Sequence, residues 1–260
     1  MPRGLISGQK YSVDDIHDNY LYTKMKGEPL IDNDDCIVIP VRNEKSPHFR
    51  KIGNVAFGTR LGRAENDQTH NKCVNSIYEE LRNPKITKIT ITTYVFNERQ
   101  KEEQVIFSTL NESKYGWFKE GEARIAFEDS TYIQPDIGGR EISKFFPRSI
   151  YPNIIIEVIR THSPDKETFE KLVELSKVNH HVYFYFIGSG RMSSGLNNFT
   201  VSKGELKIRV SHYLIGGEVY KNGNPVNIRN NKTFDVWYNE LNNGYFTFAK
   251  EIAKKEKVGL

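Results

Sequence analysis

Ile154-Ile155-Ile156-Glu157-Val158-Ile159-Arg160-Thr161-His162 is the stretch on which the reading of the fold turns. An apolar run this rich in β-branched side chains reads as a buried central strand. A carboxylate in its middle is costly unless something pairs with it or it coordinates a cation, so Glu157 requires a partner. Upstream, Tyr132-Ile133-Gln134-Pro135-Asp136 is a second extended segment that ends in an acid, and Gly138-Gly139 is expected to turn the chain after it. Two acids on neighbouring strands suit a hard divalent cation such as Mg²⁺. Such an ion takes carboxylate oxygens together with water and substrate phosphate, and it can activate water against a phosphodiester.

After the Glu157 strand, Ser163-Pro164-Asp165 reads as an N-cap, a proline suited to the first helical position and an acid in the first turn. The helix it starts turns Phe169, Leu172, Val173 and Leu175 inward, with Lys166, Lys171 and Lys177 around them. His180 to Ile187 is another buried strand, and a crossover helix between the two strands makes them parallel. Upstream, Val74, Ile77, Tyr78 and Leu81 recur at three and four residues, which predicts a helix from Thr69 to about Leu81 stopped by Asn83-Pro84. His70 precedes Val74 by four residues and shares the inward face, either as a satisfied core histidine or as a member of a site. Lys85 to Phe96 and Gln104 to Leu110 read as strands. Tyr115-Gly116-Trp117-Phe118 is expected in a loop, where its rings either stack on bases or pack over the core.

Three regions follow. Residues 1–64 are an N-terminal extension with a short strand at Cys36 to Val41 and a polar, basic run from Arg42 to Lys51; residues 65–188 are the core. Residues 189–260 are expected as an α+β appendage, with a strand from Leu206 to Ile215 and a hairpin at Asn222-Gly223. A helix from Phe234 to Lys255, around Trp237, Leu241, Phe246, Phe248 and Ile252 and broken at Asn242-Asn243-Gly244, closes the region.

With 37% hydrophobic residues in 260, the chain can bury an ordinary core. No apolar run approaches the roughly 20 residues of a spanning helix, and Met1 to Lys10 lacks the apolar centre of a signal peptide, so a cytoplasmic protein without a membrane partner is expected. Cys36 and Cys73 form no Cys-x-x-Cys pattern, which argues for reduced thiols and against a zinc ribbon. A net charge of +4 is compatible with phosphate-rich ligands without selecting them.

Gln134-Pro135-Asp136 and then Ile156-Glu157-Val158-x-x-Thr161-His162-x-x-Asp165 resemble the nuclease core of the CoiA-like competence-protein family, within the PD-(D/E)xK superfamily. Glu65-Asn66-Asp67-Gln68-Thr69-His70-Asn71-Lys72 is similar to that family's acid-then-histidine helix start. Pro47-His48-Phe49 is similar to its upstream His-Phe element, although the second histidine and paired cysteines usual there are missing. The similarity spans roughly residues 65 to 187. It implies an α/β fold with a PD-(D/E)xK nuclease-like αβββαβ core on a central mixed sheet, and a metal-dependent nuclease acting on DNA in preference to RNA.

The resemblance also implies roles. Asp136 and Glu157, with the Val158 carbonyl, would hold Mg²⁺ or Mn²⁺. Gln134, Thr161 and His162 would face substrate, and His70 would orient substrate or a water. The usual lysine two residues after the second acid is replaced by Ile159, and the resemblance moves the cationic role to Lys166, on the Phe169 face of the following helix. Two other readings stay open. One is a nucleic-acid-binding or host-interaction protein that keeps the fold without cleaving, for which the missing lysine argues. The other is a structural protein in which Glu157 pairs with Arg160 or Arg140. A homodimer is compatible with any of them.

Overall fold

The computed structural model describes all residues except 34–35, 53–57, 63–64, 66, 98–99, 111, 145–147, 189, 248–249 and 252–260. In chain order its first elements are β1 (Arg3–Gly4), α1 (Asn19–Lys26), β2 (Leu30–Ile31), β3 (Ile37–Val41), β4 (His48–Lys51), β5 (Thr59–Arg60), α2 (Gln68–Arg82), β6 (Lys88–Asn97) and β7 (Gln100–Ser108). There follow β8 (Tyr115–Lys119), β9 (Ile125–Ala126), β10 (Thr131–Ile133), β11 (Ile137–Glu141), β12 (Asn153–Ile159), α3 (Lys166–Lys177) and β13 (His180–Phe186). The last are β14 (Asn198–Ser202), β15 (Glu205–Arg209), β16 (His212–Ile215), β17 (Glu218–Lys221), β18 (Asn224–Pro225) and α4 (Phe234–Gly244). The fold is mixed α/β. Among the described residues no helix is long and apolar enough to cross a membrane.

The chain forms two compact units, Met1–Arg60 with Arg124–Gln134, and Leu61–Ala123 with Pro135–Leu260. The first carries the sheets β1-β2-β3-β4 and β5-β10-β9 and a small core of Tyr11, Ile16, Met25, Leu30 and Val38. Arg42 is structural here: its Nε donates to the Ile16 carbonyl at 2.7 Å and its guanidinium covers the Tyr22 ring.

The second unit holds a seven-stranded sheet, β18-β17-β16-β13-β12-β11-β8, and a four-stranded sheet, β14-β15-β6-β7. β12 and β13 are parallel, joined by α3, as the crossover geometry requires. Both are buried on two faces. Ile154, Ile156 and Val158 pack with Tyr183, Tyr185 and the Cys73, Val74 and Ile77 stripe of α2. On the other face Phe184 meets Phe169 of α3 and Phe246, with ring centroids 6.4 and 5.5 Å away. α2 forms because its apolar positions fall on one stripe and because Asp67 caps it, accepting from the Thr69 and His70 N–H groups.

Several expectations change. Tyr115–Lys119 is a strand at the edge of the large sheet, not a loop, and Trp117 is buried beneath it, stacked on Tyr115 at 5.8 Å. The aromatic patch is therefore core packing. Gly138 and Gly139 lie inside β11 and make no turn. A Cβ on Gly139 would sit 2.3 Å from the ring of its cross-strand neighbour Trp117, so the strand keeps a glycine to leave room for the indole. α3 is capped by Asp165, which accepts from Thr168 N–H, leaving Ser163 and Pro164 outside the helix.

Leu206 to Ile215 is two strands, β15 and β16, that enter different sheets. Residues 189–260, expected as an appendage, thus supply strands to both large sheets of the second unit. The Asn222-Gly223 hairpin is present, with both residues at positive φ (51° and 79°), the geometry of a two-residue primed turn. The expected helical anchors Phe248 and Ile252 lie outside the described residues.

Candidate functional site at the end of β12

Strand register sets the two acids at the same level of the sheet. Ile137 pairs antiparallel with Ile156, and one further step sets Asp136 opposite Glu157. Asp136 lies in the bend before β11, and its Oδ2 accepts from the backbone N–H of Val158 at 2.9 Å. The same oxygen is 3.1 Å from His70 Nε2. Alternation along β12 sends Ile156 and Val158 into the α2 core and turns the half-buried Glu157 to the face of Ile155 and Ile159. Asp136 therefore reaches the Val158 peptide from the α2 side, whereas Glu157 leaves the strand on the other.

His70 is buried, at 4% exposure, one turn into α2. Its Nδ1 is 3.1 Å from Asn71 Oδ1. Burial opposes a charge on the ring, but the hydrogen bond and charge of Asp136, the Asn71 amide and the charge of Glu65 outweigh it and raise the pKa to about 9. The imidazolium donates from both nitrogens and fixes the Asp136 carboxylate.

This pair makes stability pH-dependent with a definite sign. The folded pKa lies above the unfolded value near 6.5, so the contribution is fully present below about pH 6.5 and is lost as pH rises through about 9. Its size is on the order of 3 kcal/mol. Urea unfolding between those limits should show that loss in the wild type and a much flatter profile in His70→Gln; equal slopes would remove the ion pair.

Glu65 is the site residue that pattern reading quoted but gave no role. Its carboxylate is 7% exposed and accepts from Arg160 N–H at 3.1 Å, Thr161 N–H at 2.8 Å and Thr161 Oγ1 at 2.6 Å. It thereby ties the segment before α2 to the exit of β12, across 95 and 96 residues of sequence. Nothing local announces such a contact. The only signal is an acid standing two residues before a helix cap.

The remaining predicted residues fall as follows. Thr161, expected to position water or phosphate, donates its hydroxyl to Glu65. His162 is exposed, with Nδ1 2.9 Å from Thr161 Oγ1 and 3.5 Å from Glu65. Gln134 belongs to the other unit, where its Oε1 accepts from Arg124 at 3.2 Å. Arg160 lies 3.2 Å from Asp67, and Arg140 covers the Phe118 ring.

Lys166 is the largest departure. As the first residue of α3 its ammonium is exposed and ion-paired with Asp235 of α4 at 2.9 Å, and the partnership raises its pKa. The cap at Asp165 rather than Ser163 is the reason, because it makes Lys166 the first helical residue. Lys166→Ala should accordingly leave any nucleolytic activity unchanged; a hundredfold loss of rate would return the lysine to the site.

No family model, curated protein or solved structure matches this chain.

Proposed function

We propose that the protein is a metal-dependent nuclease of PD-(D/E)xK type that hydrolyses phosphodiester bonds in nucleic acid, with DNA the preferred substrate. The observation that carries the reading is the Asp136 carboxylate held on the Val158 N–H in register with Glu157. Element order supports it: α2, the antiparallel strands β8, β11 and β12, then α3 and parallel β13. That sequence follows the αβββαβ core of the resemblance to the CoiA-like family. β6 and β7 stand between α2 and β8, and β9 and β10 between β8 and β11, and these four strands belong to other sheets.

Asp136 is placed for a hard cation on the α2 side of β12, whereas Glu157 leaves the strand on the opposite side and does not close on the same point in this arrangement. Among the described residues no three His, Cys, Asp or Glu side chains converge as a ligand group. For Asp136, Glu157 and the Val158 carbonyl to share a Mg²⁺ or Mn²⁺ ion, Glu157 must turn round the end of β12 to the side on which Asp136 stands. A cation there supplies charge at the phosphate and acidifies a water nucleophile. Val158 N–H and His70 keep the Asp136 carboxylate in place, and Glu65 keeps the β12 exit against the start of α2. The exposed His162 ring stands at that exit, open to substrate.

A second reading, a nucleic-acid-binding protein that does not cleave, is favoured by the protonated His70 already neutralising Asp136 and by Lys166 being engaged with Asp235. Incubating the purified protein with plasmid, linear and single-stranded DNA, with and without Mn²⁺, separates the two. Metal-dependent cleavage supports the nuclease; binding without cleavage selects the second reading.

A further inference from the structure

A phosphate at this site needs a cationic side chain able to reach it. Lys166 is bound to Asp235, and Arg160 is beside Asp67. Ligands of open α/β sheets bind beyond the carboxyl ends of parallel strands, which here is where the chain leaves β12 and β13. Ile159 of β12 pairs with Phe186 of β13, and Ile187 N–H donates to the Ile159 carbonyl at 3.0 Å, so residues 160–161 and Gly188 leave the sheet at the same end.

The turn that follows is pinned. Arg191 bridges back to Gly188, with its N–H 3.3 Å from the Gly188 carbonyl, and Gly190 supplies the positive φ of 63° that the turn requires. The Met192 carbonyl accepts from Tyr185 Oη at 2.9 Å and lies 3.8 Å from Cys73 Sγ, while Ser76 Oγ is 3.6 Å from Met192 Sδ. Cys73 stands one helical turn after His70, the residue that holds Asp136. The half-buried Met192 thus holds the backbone of its neighbour against α2, on the side where His70 meets Asp136. Arg191 is exposed, and among the described residues no carboxylate is ion-paired with it.

We propose that Arg191 is the phosphate-contacting residue of this site, gripping a phosphodiester of the nucleic-acid backbone from the turn after β13. The assignment rests on the nucleic-acid reading above and deepens it. A guanidinium offers parallel donors that match two phosphate oxygens, which an ammonium cannot do, and an anchored turn holds that fork in place at lower entropic cost than a free loop. With Arg191 in this role, the charge that the usual PD-(D/E)xK pattern supplies at the position of Ile159 enters from the neighbouring strand.

The test uses the full chain and a labelled mixed-sequence DNA duplex, with binding read by fluorescence anisotropy in EDTA across a salt series and cleavage read separately in Mn²⁺. Arg191→Ala should weaken binding about tenfold and lower the slope of log affinity against log salt by about 1. Arg191→Lys should restore the slope and only part of the affinity. Lys203→Ala, the same change of charge at the turn between β14 and β15, should alter neither. If Arg191→Ala binds like the wild type, the assignment is overturned even where the wild type cleaves. If the wild type binds without cleaving and Arg191→Ala loses tenfold, the assignment stands and the nuclease reading falls. A wild type that does not bind the duplex overturns both.

Discussion

Glu157→Gln should reduce Mn²⁺-dependent cleavage of DNA by a factor on the order of 10³, leaving the thermal midpoint and EDTA-insensitive DNA binding close to wild type. The substitution keeps the volume of the side chain and removes its charge, and Glu157 is only half-buried, so packing in β12 is not at stake. Its neighbours Ile156 and Val158 hold the strand in the core irrespective of the acid. Asp136→Asn provides the companion measurement. It should lose cleavage too, and because the amide cannot hold a charge against His70, it should also abolish the stability change between pH 6.5 and 9. Glu157→Gln should retain that change. Cleavage at the wild-type rate by Glu157→Gln would remove Glu157 from the mechanism and leave Asp136 as half of a structural ion pair.

Phe169→Ala should be the most damaging single truncation in the larger unit, lowering stability by about 3–5 kcal/mol. Phe169 is fully buried and its ring contacts four others: Tyr238 at 5.7 Å, Phe246 at 5.9 Å, Trp237 at 6.0 Å and Phe184 at 6.4 Å. Its loss would open a cavity where α3, α4 and β13 meet, with partners on elements too well packed to collapse into it. For a unit of this size the thermal midpoint should drop by roughly 10 °C. Val178→Ala is the contrast, since Val178 is 63% exposed at the end of α3 and should shift the midpoint little. A small loss from Phe169→Ala in calorimetry would show that the aromatic cluster does not bear on stability.

Local periodicity determined the elements that place the site. The β-branched run of β12, the aromatic run of β13 and the apolar stripes of α2 and α3 each encode a burial pattern within 7 to 15 residues, and the short crossover made the two strands parallel. Asp136 and Glu157 come to the same level because the chain returns their two segments to one sheet, but they lie on opposite sides of β12. What tertiary structure alone decided is which side chains those acids and bases meet.

His70 finds Asp136 66 residues away, Glu65 finds Thr161 across 96, and Lys166 finds Asp235 across 69. Hydrophobic pattern says which face of an element is buried but not which polar group waits there, because a hydrogen-bond partner is chosen by the packing of distant segments. Gly139 shows the same limit on a smaller scale: two adjacent glycines read locally as a turn, and only the indole of Trp117 lying across the neighbouring strand makes one of them a requirement of a straight one.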